Sequence, residues 1–303
     1  MKSDFNNICI VGLGLIGGSV GLAIKKKKLL CKTIGYAKTK KTLTKATDRG
    51  LVDSTESTLS RAVEKADLVI LATPLSTFKP LIQEMAPFLK RGCIVTDTGS
   101  AKYLVIEELK DLIPSGVEFI PGHPIAGTEE SGPDSGFPEL FDNRWCILTP
   151  TKNNSKDSIQ AIKNFWELLG SKVEIMDALH HDKVLAITSH IPHLIAYNIV
   201  GTANDLANVT DLEVIKYSAG GFRDFTRIAA SDPKMWSDIF TYNSEAVIAM
   251  LDLFSHDLNN LKESIIKKDS QLLFSSFEKT RSVRKSIIDA GQEESNIDFG
   301  RKK

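Results

Sequence analysis

Three glycines that follow a short apolar run near the start of the chain constrain its fold most. Residues 8–19 read ICIVGLGLIGGS, in which Gly12, Gly14 and Gly17 fit the spacing G-x-G-x-x-G. This order predicts a strand, a tight turn and a helix, with glycines for the turn, for the approach of a pyrophosphate and for close helix packing. The positive dipole end of the helix favours phosphates. The segment therefore predicts a dinucleotide site; a glycine-rich turn without a ligand is the alternative.

Strand-like apolar runs alternate with helical segments as far as about residue 178. The runs lie at residues 8–11, 33–37, 67–72, 93–96, 117–120, 145–148 and 173–176. Helices are expected between them, including one over residues 78–89 and one that ends at Leu112. The alternation predicts an α/β fold with a Rossmann-type, doubly wound and mainly parallel sheet. Ligands of such sheets bind beyond the carboxyl ends of the strands, where polar clusters follow at Thr73 and at residues 97–100 and 123–129.

The pattern becomes entirely helical after Ala178. Apolar residues recur at helical spacing from Val184 to Ile199, and helical patterns continue over residues 236–254, 258–266 and 272–288. We therefore expect a Rossmann domain at residues 1–178, an all-helical substrate and dimerisation domain at residues 179–292, and a polar tail at residues 293–303. Long amphipathic helices of this kind suggest a homodimer.

Composition and cysteine usage indicate a cytoplasmic protein. The 38 basic and 38 acidic residues cancel, so no global field would attract nucleic acid or an anionic membrane. We expect neither a signal peptide nor an apolar run long enough to span a bilayer. Cys9, Cys31, Cys93 and Cys146 are isolated, without a C-x-x-C pair, which is typical of reduced cysteines and not of a disulfide or zinc framework.

The end of the second strand bears on the choice of dinucleotide. An NAD site usually places an acidic residue there for the ribose 2′-hydroxyl, whereas this chain has Ala37 followed by Lys38, Lys40 and Lys41. These lysines favour NADP, and simple surface charge is the alternative. The expected cofactor-binding residues are Gly12, Gly14, Leu15, Ile16, Gly17, Lys38, Thr73 and Pro74.

His123 is the strongest catalytic candidate. It follows a strand between Gly122 and Pro124, on the edge where a nicotinamide would lie, and an imidazole can accept a proton near neutral pH. A histidine that caps a turn is the alternative. Ser100, at the neighbouring strand end, could hydrogen-bond this imidazole or a substrate hydroxyl, and it could also be the N-cap of the next helix.

Four further histidines, at positions 180, 181, 190 and 193, suggest a metal site at first sight. Pro192 interrupts the last pair, no H-E-x-x-H occurs and no nearby carboxylate completes a ligand set, so we expect no metal. The sharper hypothesis is that His190 contacts substrate from a helix that faces the cofactor. A buried histidine satisfied by hydrogen bonds is the alternative.

A glycine pair beside two arginines and an aspartate is unusual inside a helical domain. Residues 218–227 read SAGGFRDFTR, and a guanidinium in such a segment can bind a carboxylate through two hydrogen bonds. An inter-helix turn held by an Arg–Asp pair is the alternative. Trp236 and Phe240 could line a pocket, although aromatic residues at this spacing are more often core.

Five motifs in order carry a resemblance to a known family. They are residues 12–19 (GLGLIGGS), 97–102 (DTGSAK), 123–129 (HPIAGTE), 189–193 (SHIPH) and 221–227 (GFRDFTR). Together they resemble the prephenate/arogenate (cyclohexadienyl) dehydrogenases of tyrosine biosynthesis, as far as about Phe254. The glycine loop is generic, whereas HPIAGTE and GFRDFTR are specific.

The resemblance implies roles for individual residues. His123 would be the catalytic histidine that accepts a hydrogen bond from the ring hydroxyl of the substrate, and Ser100 would orient it. The residues expected to contact substrate or to shape its pocket, partly across a dimer, are His190, Thr128, Arg227, Gly220, Asp224 and Trp236. Ala37 departs from the acidic residue of strictly NAD-dependent members.

The implied reaction is NAD(P)-dependent oxidative decarboxylation of prephenate, arogenate or both. Two alternatives stay open: a β-hydroxyacid dehydrogenase, which would use a lysine on a helix of the second domain, and a non-catalytic protein that senses dinucleotides. Neither the side chain of the substrate nor feedback inhibition by tyrosine can be decided from the residues.

Overall fold

The first part of the chain forms a six-stranded sheet in which all strands run parallel. The computed structural model describes residues 4–205 and 220–289. The sheet has the strand order β3-β2-β1-β4-β5-β6. Its strands are β1 Asn7–Val11, β2 Lys32–Tyr36, β3 Ser54–Glu56, β4 Leu68–Leu71, β5 Ile94–Asp97 and β6 Glu118–Ile120. This is the Rossmann order, and the predicted fold class is confirmed. The short polar strand β3 was not predicted.

Helices cover both faces of this sheet, which explains its continuous apolar strands. Along β1, Ile8 and Ile10 point into one hydrophobic core while Cys9 and Val11 point into the other. The helices are α1 Leu15–Lys26, α2 Lys40–Asp48, α3 Leu59–Val63, α4 Phe78–Met85 and α5 Tyr103–Leu109. All four cysteines are free.

A second, three-stranded sheet contains the last two predicted strands, those at residues 145–148 and 173–176. It consists of β7 Gly122–Pro124, β8 Trp145–Leu148 and β9 Lys172–Ile175, with α6 Lys156–Leu169 between β8 and β9. The pair β7/β8 is antiparallel and the pair β8/β9 is parallel. Thus the strands near residues 145 and 173 exist but do not extend the main sheet. The chain leaves that sheet at Pro121, which has no N–H to continue a ladder.

The remainder of the described chain is helical. Its elements are α7 Ala178–Leu185, a π-helical turn Ala186–His190, α8 Ile191–Asn204, α9 Gly220–Thr226, a 3₁₀ turn Arg227–Ala230, α10 Pro233–Tyr242, α11 Ser244–Ile266 and α12 Ser270–Asp289. The predicted helices 236–254 and 258–266 are divided differently: the break falls at Asn243, and α11 is continuous across residues 255–257.

The chain divides into two compact units, Met1–Ile248 and Ala249–Lys303. The predicted boundary at residue 178 stays a prediction. Ser218, Ala219 and the expected tail at residues 293–303 lie outside the described residues.

The continuous helical stretch from Ala178 to Asn204 is long and apolar enough, by length and composition alone, to cross a membrane. The expectation that no stretch would qualify is therefore wrong. However, its polar residues His181, Asp182 and His190 are buried against other parts of the first compact unit. Burial of polar groups on protein partners is typical of a helix that packs inside a globular domain.

Candidate active site

The glycine loop between β1 and α1 has the geometry of a phosphate cradle. At Gly12, whose φ is +98°, a Cβ would lie 2.4 Å from the carbonyl oxygen of Ala72, and at Gly17 it would lie 1.9 Å from the carbonyl oxygen of Gly12. At Gly14, by contrast, a Cβ would meet no atom within 4 Å. Gly14 directly precedes α1, and no side chain caps that helix. The open space and the uncapped N–H groups together fit a pyrophosphate.

The same loop lines a cavity of ≈ 620 Å³ inside the first compact unit. Its walls come from the glycine loop, from the loops that follow β4, β5 and β7, and from the helical part of the unit. The lining includes Gly14, Leu15, Ile16, Thr73, Pro74, Ser100, His123, Thr128, Glu129, Ser189, His193, Arg227, Lys234 and Trp236. The polar clusters after the strands therefore meet at one edge of the sheet, as their positions in the sequence predict.

His123 projects from β7 into this cavity, and its ring contacts a second histidine, His181. Its Nδ1 lies 2.9 Å from Nε2 of His181, and Nδ1 of His181 lies 2.8 Å from Oδ1 of Asp182. His181 is fully buried and His123 is 7% exposed. Asp182 also accepts hydrogen bonds of 2.9 Å from the N–H groups of Lys102 and Tyr103 and so caps α5.

Burial lowers the pKa of His123 well below its ordinary value, and the positive charge of Lys102 and the neighbouring His181 and His190 lower it further. Burial also lowers the pKa of His181, against a smaller opposing effect of Asp182. His123 is therefore a neutral imidazole at pH 7, able to accept a proton.

Lys102 is a fully buried cation beneath His123. Its ammonium group donates hydrogen bonds to the carboxylate of Asp97 and, at 2.7 Å, to the carbonyl oxygen of Gly122. Asp97 also accepts from the N–H groups of Gly99, at 2.8 Å, and Gly122, at 3.1 Å. These bonds fasten the loop after β5 to the start of β7, and they fix the backbone from which His123 projects.

The histidine of the SHIPH segment that faces the cavity is His193. Its Nδ1 donates to the carbonyl oxygen of Ser189 at 2.8 Å, and its ring stacks on Trp236 with centroids 3.7 Å apart. His190 is fully buried instead and does not line the cavity; its Nδ1 lies 3.0 Å from Nδ2 of Asn243, and burial lowers its pKa to about 4. The expectation that His190 contacts substrate stays a prediction, since His190 lies outside the cavity lining in this structure.

The π-helical turn over Ala186–His190 is a physical reason for this difference. Pro192 cannot donate to the helical ladder, and the turn before it widens. The widening changes which side chains of the segment share a face, so regular helical spacing does not identify the one that points into the cavity.

A cation and a carboxylate face each other at the rim of the cavity. Nη1 of Arg227 lies 2.7 Å from Oε2 of Glu129, and the side chain of Arg227 is 60% exposed. Thr128 is exposed beside them, and its hydroxyl accepts from the N–H of Glu130 at 3.2 Å. Lys234 adds a second cation, with Nζ 2.5 Å from Oδ1 of Asp238 and 3.0 Å from Oγ of Ser76.

Two family models match the chain. One, described as the nucleotide-binding domain of prephenate dehydrogenase, covers residues 20–175, and the other, described as its dimerization domain, covers residues 177–279. A cyclohexadienyl dehydrogenase from Zymomonas mobilis is 39% identical over 93% of this chain and 96% of its own length. A prephenate dehydrogenase from Bacillus subtilis is 32% identical over 95% of this chain and 77% of its own. This chain belongs to the prephenate dehydrogenase family.

Solved structures of a prephenate dehydrogenase and an arogenate dehydrogenase are similar to this chain. The Aquifex aeolicus prephenate dehydrogenase in complex with hydroxyphenyl propionate and NAD+ has a TM-score of 0.86 and 35% identity, over 93% of this chain and 98% of that one. A Synechocystis arogenate dehydrogenase has a TM-score of 0.76 and 29% identity, over 92% and 99%.

The structure of this prephenate dehydrogenase family member brings most of the predicted site residues together. Those that line the cavity are His123, Ser100, Thr128, Arg227, Trp236, Gly14, Leu15, Ile16, Thr73 and Pro74. Gly12 and Gly17 lie outside the lining, and a Cβ on them would overlap the carbonyl oxygens of Ala72 and Gly12. Lys38, Gly220 and Asp224 are exposed and lie outside the lining, as does the buried His190. The alternative role of Ser100 as an N-cap is wrong, because α5 begins at Tyr103 and Asp182 caps it.

Several residues of the site were missed by sequence reasoning. His181 was weighed only as a metal ligand, and His193 only as part of that group. Lys102 was part of a family motif without a role, and Lys234 was not considered. Among the described residues, no group of three or more histidines, cysteines or acidic residues could hold a metal ion. The sequence did contain one usable signal for His181: the adjacent Asp182, just before a helical apolar pattern, indicates a histidine that is hydrogen-bonded to a carboxylate.

Proposed function

We propose that this enzyme oxidises prephenate, arogenate or both with NAD(P)⁺ and decarboxylates the product in the same site. One observation carries the proposal: a neutral, buried imidazole, His123, lies on the wall of the same cavity as the phosphate cradle at Gly14 and the guanidinium of Arg227. A redox cofactor, a proton acceptor and a binding group for an acid are the parts that this reaction needs.

The proposed reaction is a hydride transfer followed by loss of carbon dioxide, with one proton held in between by His123. A dinucleotide held at the loop of Gly14 would supply the acceptor for the hydride of the ring carbon that bears the hydroxyl. Nε2 of His123 takes the hydroxyl proton as the carbonyl forms. The bond to the ring carboxylate then breaks, carbon dioxide leaves, and the electron pair of that bond makes the ring aromatic. The oxygen takes the proton back from His123, so the products are a phenol, carbon dioxide and the reduced cofactor.

The other residues would position the substrate. Arg227 would bind a carboxylate of the substrate, in competition with Glu129, since a guanidinium pairs well with planar oxyanions. Ser100 would hydrogen-bond the reacting hydroxyl or the imidazole. Thr128, His193 and Trp236 would line the space that the ring occupies. His190, Gly220 and Asp224 could act on the substrate in this way only after a rearrangement or from a second subunit.

We further propose that the cofactor includes NADP⁺ as well as NAD⁺. Lys38 is exposed directly after β2, and Lys40 begins α2, whose first turn is capped by the hydroxyl of Thr39 at 3.1 Å from the N–H of Thr42. Lysines at the positive end of a helix suit a 2′-phosphate.

We also propose that the enzyme is cytoplasmic and acts as a homodimer through the region matched by the dimerization model.

A single set of assays tests the proposal. Purified enzyme would be given prephenate or arogenate, each with NAD⁺ or NADP⁺, and the reduced cofactor, carbon dioxide and aromatic product would be measured. We expect equal amounts of all three products with at least one of the two substrates. A small β-hydroxy acid is the control, because it tests the alternative that this chain is a β-hydroxyacid dehydrogenase. Turnover of that acid alone, or cofactor binding without any turnover, would contradict the proposal.

A further inference from the structure

Three side chains form a hydrogen-bonded row that ends at the cavity. Asp182, His181 and His123 are joined by contacts of 2.8 Å and 2.9 Å, and all three are buried. We infer that His181 and Asp182 are positioning residues that keep His123 protonated on Nδ1 and leave its Nε2 free to accept the substrate proton. This inference rests on the proposed function for His123.

The direction of the row follows from Asp182. Its Oδ1 accepts from the backbone N–H of Lys102 and its Oδ2 from that of Tyr103, and backbone N–H groups can only donate. Both oxygens are therefore acceptors, and Nδ1 of His181 must carry the hydrogen that lies between His181 and Asp182. In a neutral His181 the other nitrogen, Nε2, is then an acceptor. Consequently Nδ1 of His123 donates to it, and Nε2 of His123 has no hydrogen.

The surrounding charges keep the row in this state. His123 is faced by His181, Lys102 and His190, and His181 is faced by Asp182, Lys102 and Asp97. The buried ammonium of Lys102 opposes a second positive charge on either ring, so both histidines rest in the neutral form in which the direction of the row is defined.

Helix capping alone would not require this arrangement. A carboxylate at Asp182 already satisfies the N–H groups at the start of α5, and a residue without polar atoms at position 181 would leave that cap intact. The second contact of Oδ1, to His181, and the contact of His181 to His123 add nothing to the cap. Instead, these two contacts orient the ring of His123 and fix its tautomer. In the other tautomer, Nε2 of His123 would be a donor where an acceptor is needed.

The experiment compares H181L with H181Q. Leucine fills much of the space of the ring but cannot accept a hydrogen bond, whereas the side-chain carbonyl of glutamine can accept from Nδ1 of His123. H180L is the matched control, because His180 is the exposed neighbour on the same helix. We expect H181L to lower kcat by roughly 10- to 100-fold with unchanged KM and cofactor Kd, by analogy with metal-ligating histidines that lose their outer hydrogen-bond partner. H181Q should recover most of the loss, and H180L should match the wild type.

Histidine ¹⁵N NMR gives a readout that a purely structural role would not change. In the wild type we expect His123 to show a protonated Nδ1 and an unprotonated Nε2, and in H181L a mixture of both tautomers. Wild-type kcat in H181L, or a protonated Nε2 of His123 in the wild-type enzyme, would overturn the inference. If H181L does not fold, the wild-type spectrum and the kcat of H181Q still test whether His181 fixes the tautomer of His123.

Failure of the inference can be told apart from failure of the proposed function. Loss of turnover in H123N together with wild-type kcat in H181L would show that His123 is the base and that His181 does not position it. Full turnover in H123N would remove the base itself, and the NMR tautomer would then still confirm or overturn the order of hydrogens along the row.

Discussion

At the scale of residues, burial controls the charge of the groups that surround the cavity. Burial is the largest cause of a lowered pKa at His123, His181, His190 and His193 alike. Each ring is thus neutral in the folded enzyme at a pH where an exposed histidine would be partly charged. The same effect that prepares His123 to accept a proton makes the fold sensitive to mild acid.

We predict that the free energy of unfolding falls as the pH is lowered from 7.5 to 5.5. The unfolded chain takes up protons at these histidines below about pH 6.5, whereas the folded chain does not, so acid favours the unfolded state. The loss should be on the order of 1 kcal/mol for each of the four histidines at pH 5.5. Carboxylates with lowered pKa values contribute only at lower pH. Urea titrations at both pH values measure the effect, and equal or greater stability at pH 5.5 would contradict it.

A second prediction at this scale concerns Arg227. R227A should raise the KM for the substrate by an amount equivalent to about 2–4 kcal/mol, because it removes a charge-assisted pair with a carboxylate and leaves Glu129 to repel that group. The Kd for NAD⁺ should not change. R223A is the control, since Arg223 is exposed outside the cavity lining. Steady-state kinetics with both variants measure the effect, and an unchanged KM in R227A excludes the role.

At the scale of elements, regular patterns were predictable and local irregularities were not. The glycine spacing and the apolar runs sufficed for the main sheet, because each depends on neighbours a few residues apart. The choice of His193 over His190 depends on a π-helical turn, and the contact of His123 with His181 joins residues 58 positions apart in the sequence. The buried pair of Lys102 and Asp97 could not be found either, since lysine beside a strand end usually indicates surface.

The strand–turn–helix element at the N-terminus allows a prediction that separates packing from binding. G14A should leave the melting temperature unchanged, since its Cβ meets no atom and its φ of −81° suits alanine, but it should weaken NAD⁺ binding by at least about 10-fold through contact with the pyrophosphate. G17A should destabilise the fold by roughly 1–3 kcal/mol, because its Cβ would overlap the carbonyl of Gly12. Thermal melts and NAD⁺ titrations of both variants are the measurements. Equal effects of the two substitutions would contradict this division.

At the scale of the whole molecule, the second compact unit has a pronounced apolar surface. Large side chains there are between 51% and 68% exposed, among them Leu272, Phe274 and Phe277 of α12. Exposed apolar surface of this kind marks an interaction surface, and the dimerization model matches residues 177–279. A second copy of the chain is the partner that the family assignment favours.

We therefore predict a homodimer that dissociates when this surface is made polar. The wild-type enzyme should sediment at twice the chain mass of 33.3 kDa, and the double variant F274D/F277D should sediment as a monomer. K279E, at an exposed position of the same helix, also changes the net charge by −2, and it should stay dimeric. Analytical ultracentrifugation at micromolar concentrations is the measurement. A monomeric wild type, or a dimeric double variant, would show that the surface has another purpose.

The proposed catalysis depends on His123, which would accept the proton of the substrate hydroxyl while the hydride leaves. The most direct test is kcat of H123N with prephenate or arogenate, measured beside the Kd for NAD⁺. Asparagine keeps a polar side chain of similar size but cannot take up a proton. We predict that kcat falls by roughly 100- to 10,000-fold, the usual contribution of a general base, while the Kd stays at its wild-type value. A kcat within a few-fold of the wild type would show that His123 is not the proton acceptor.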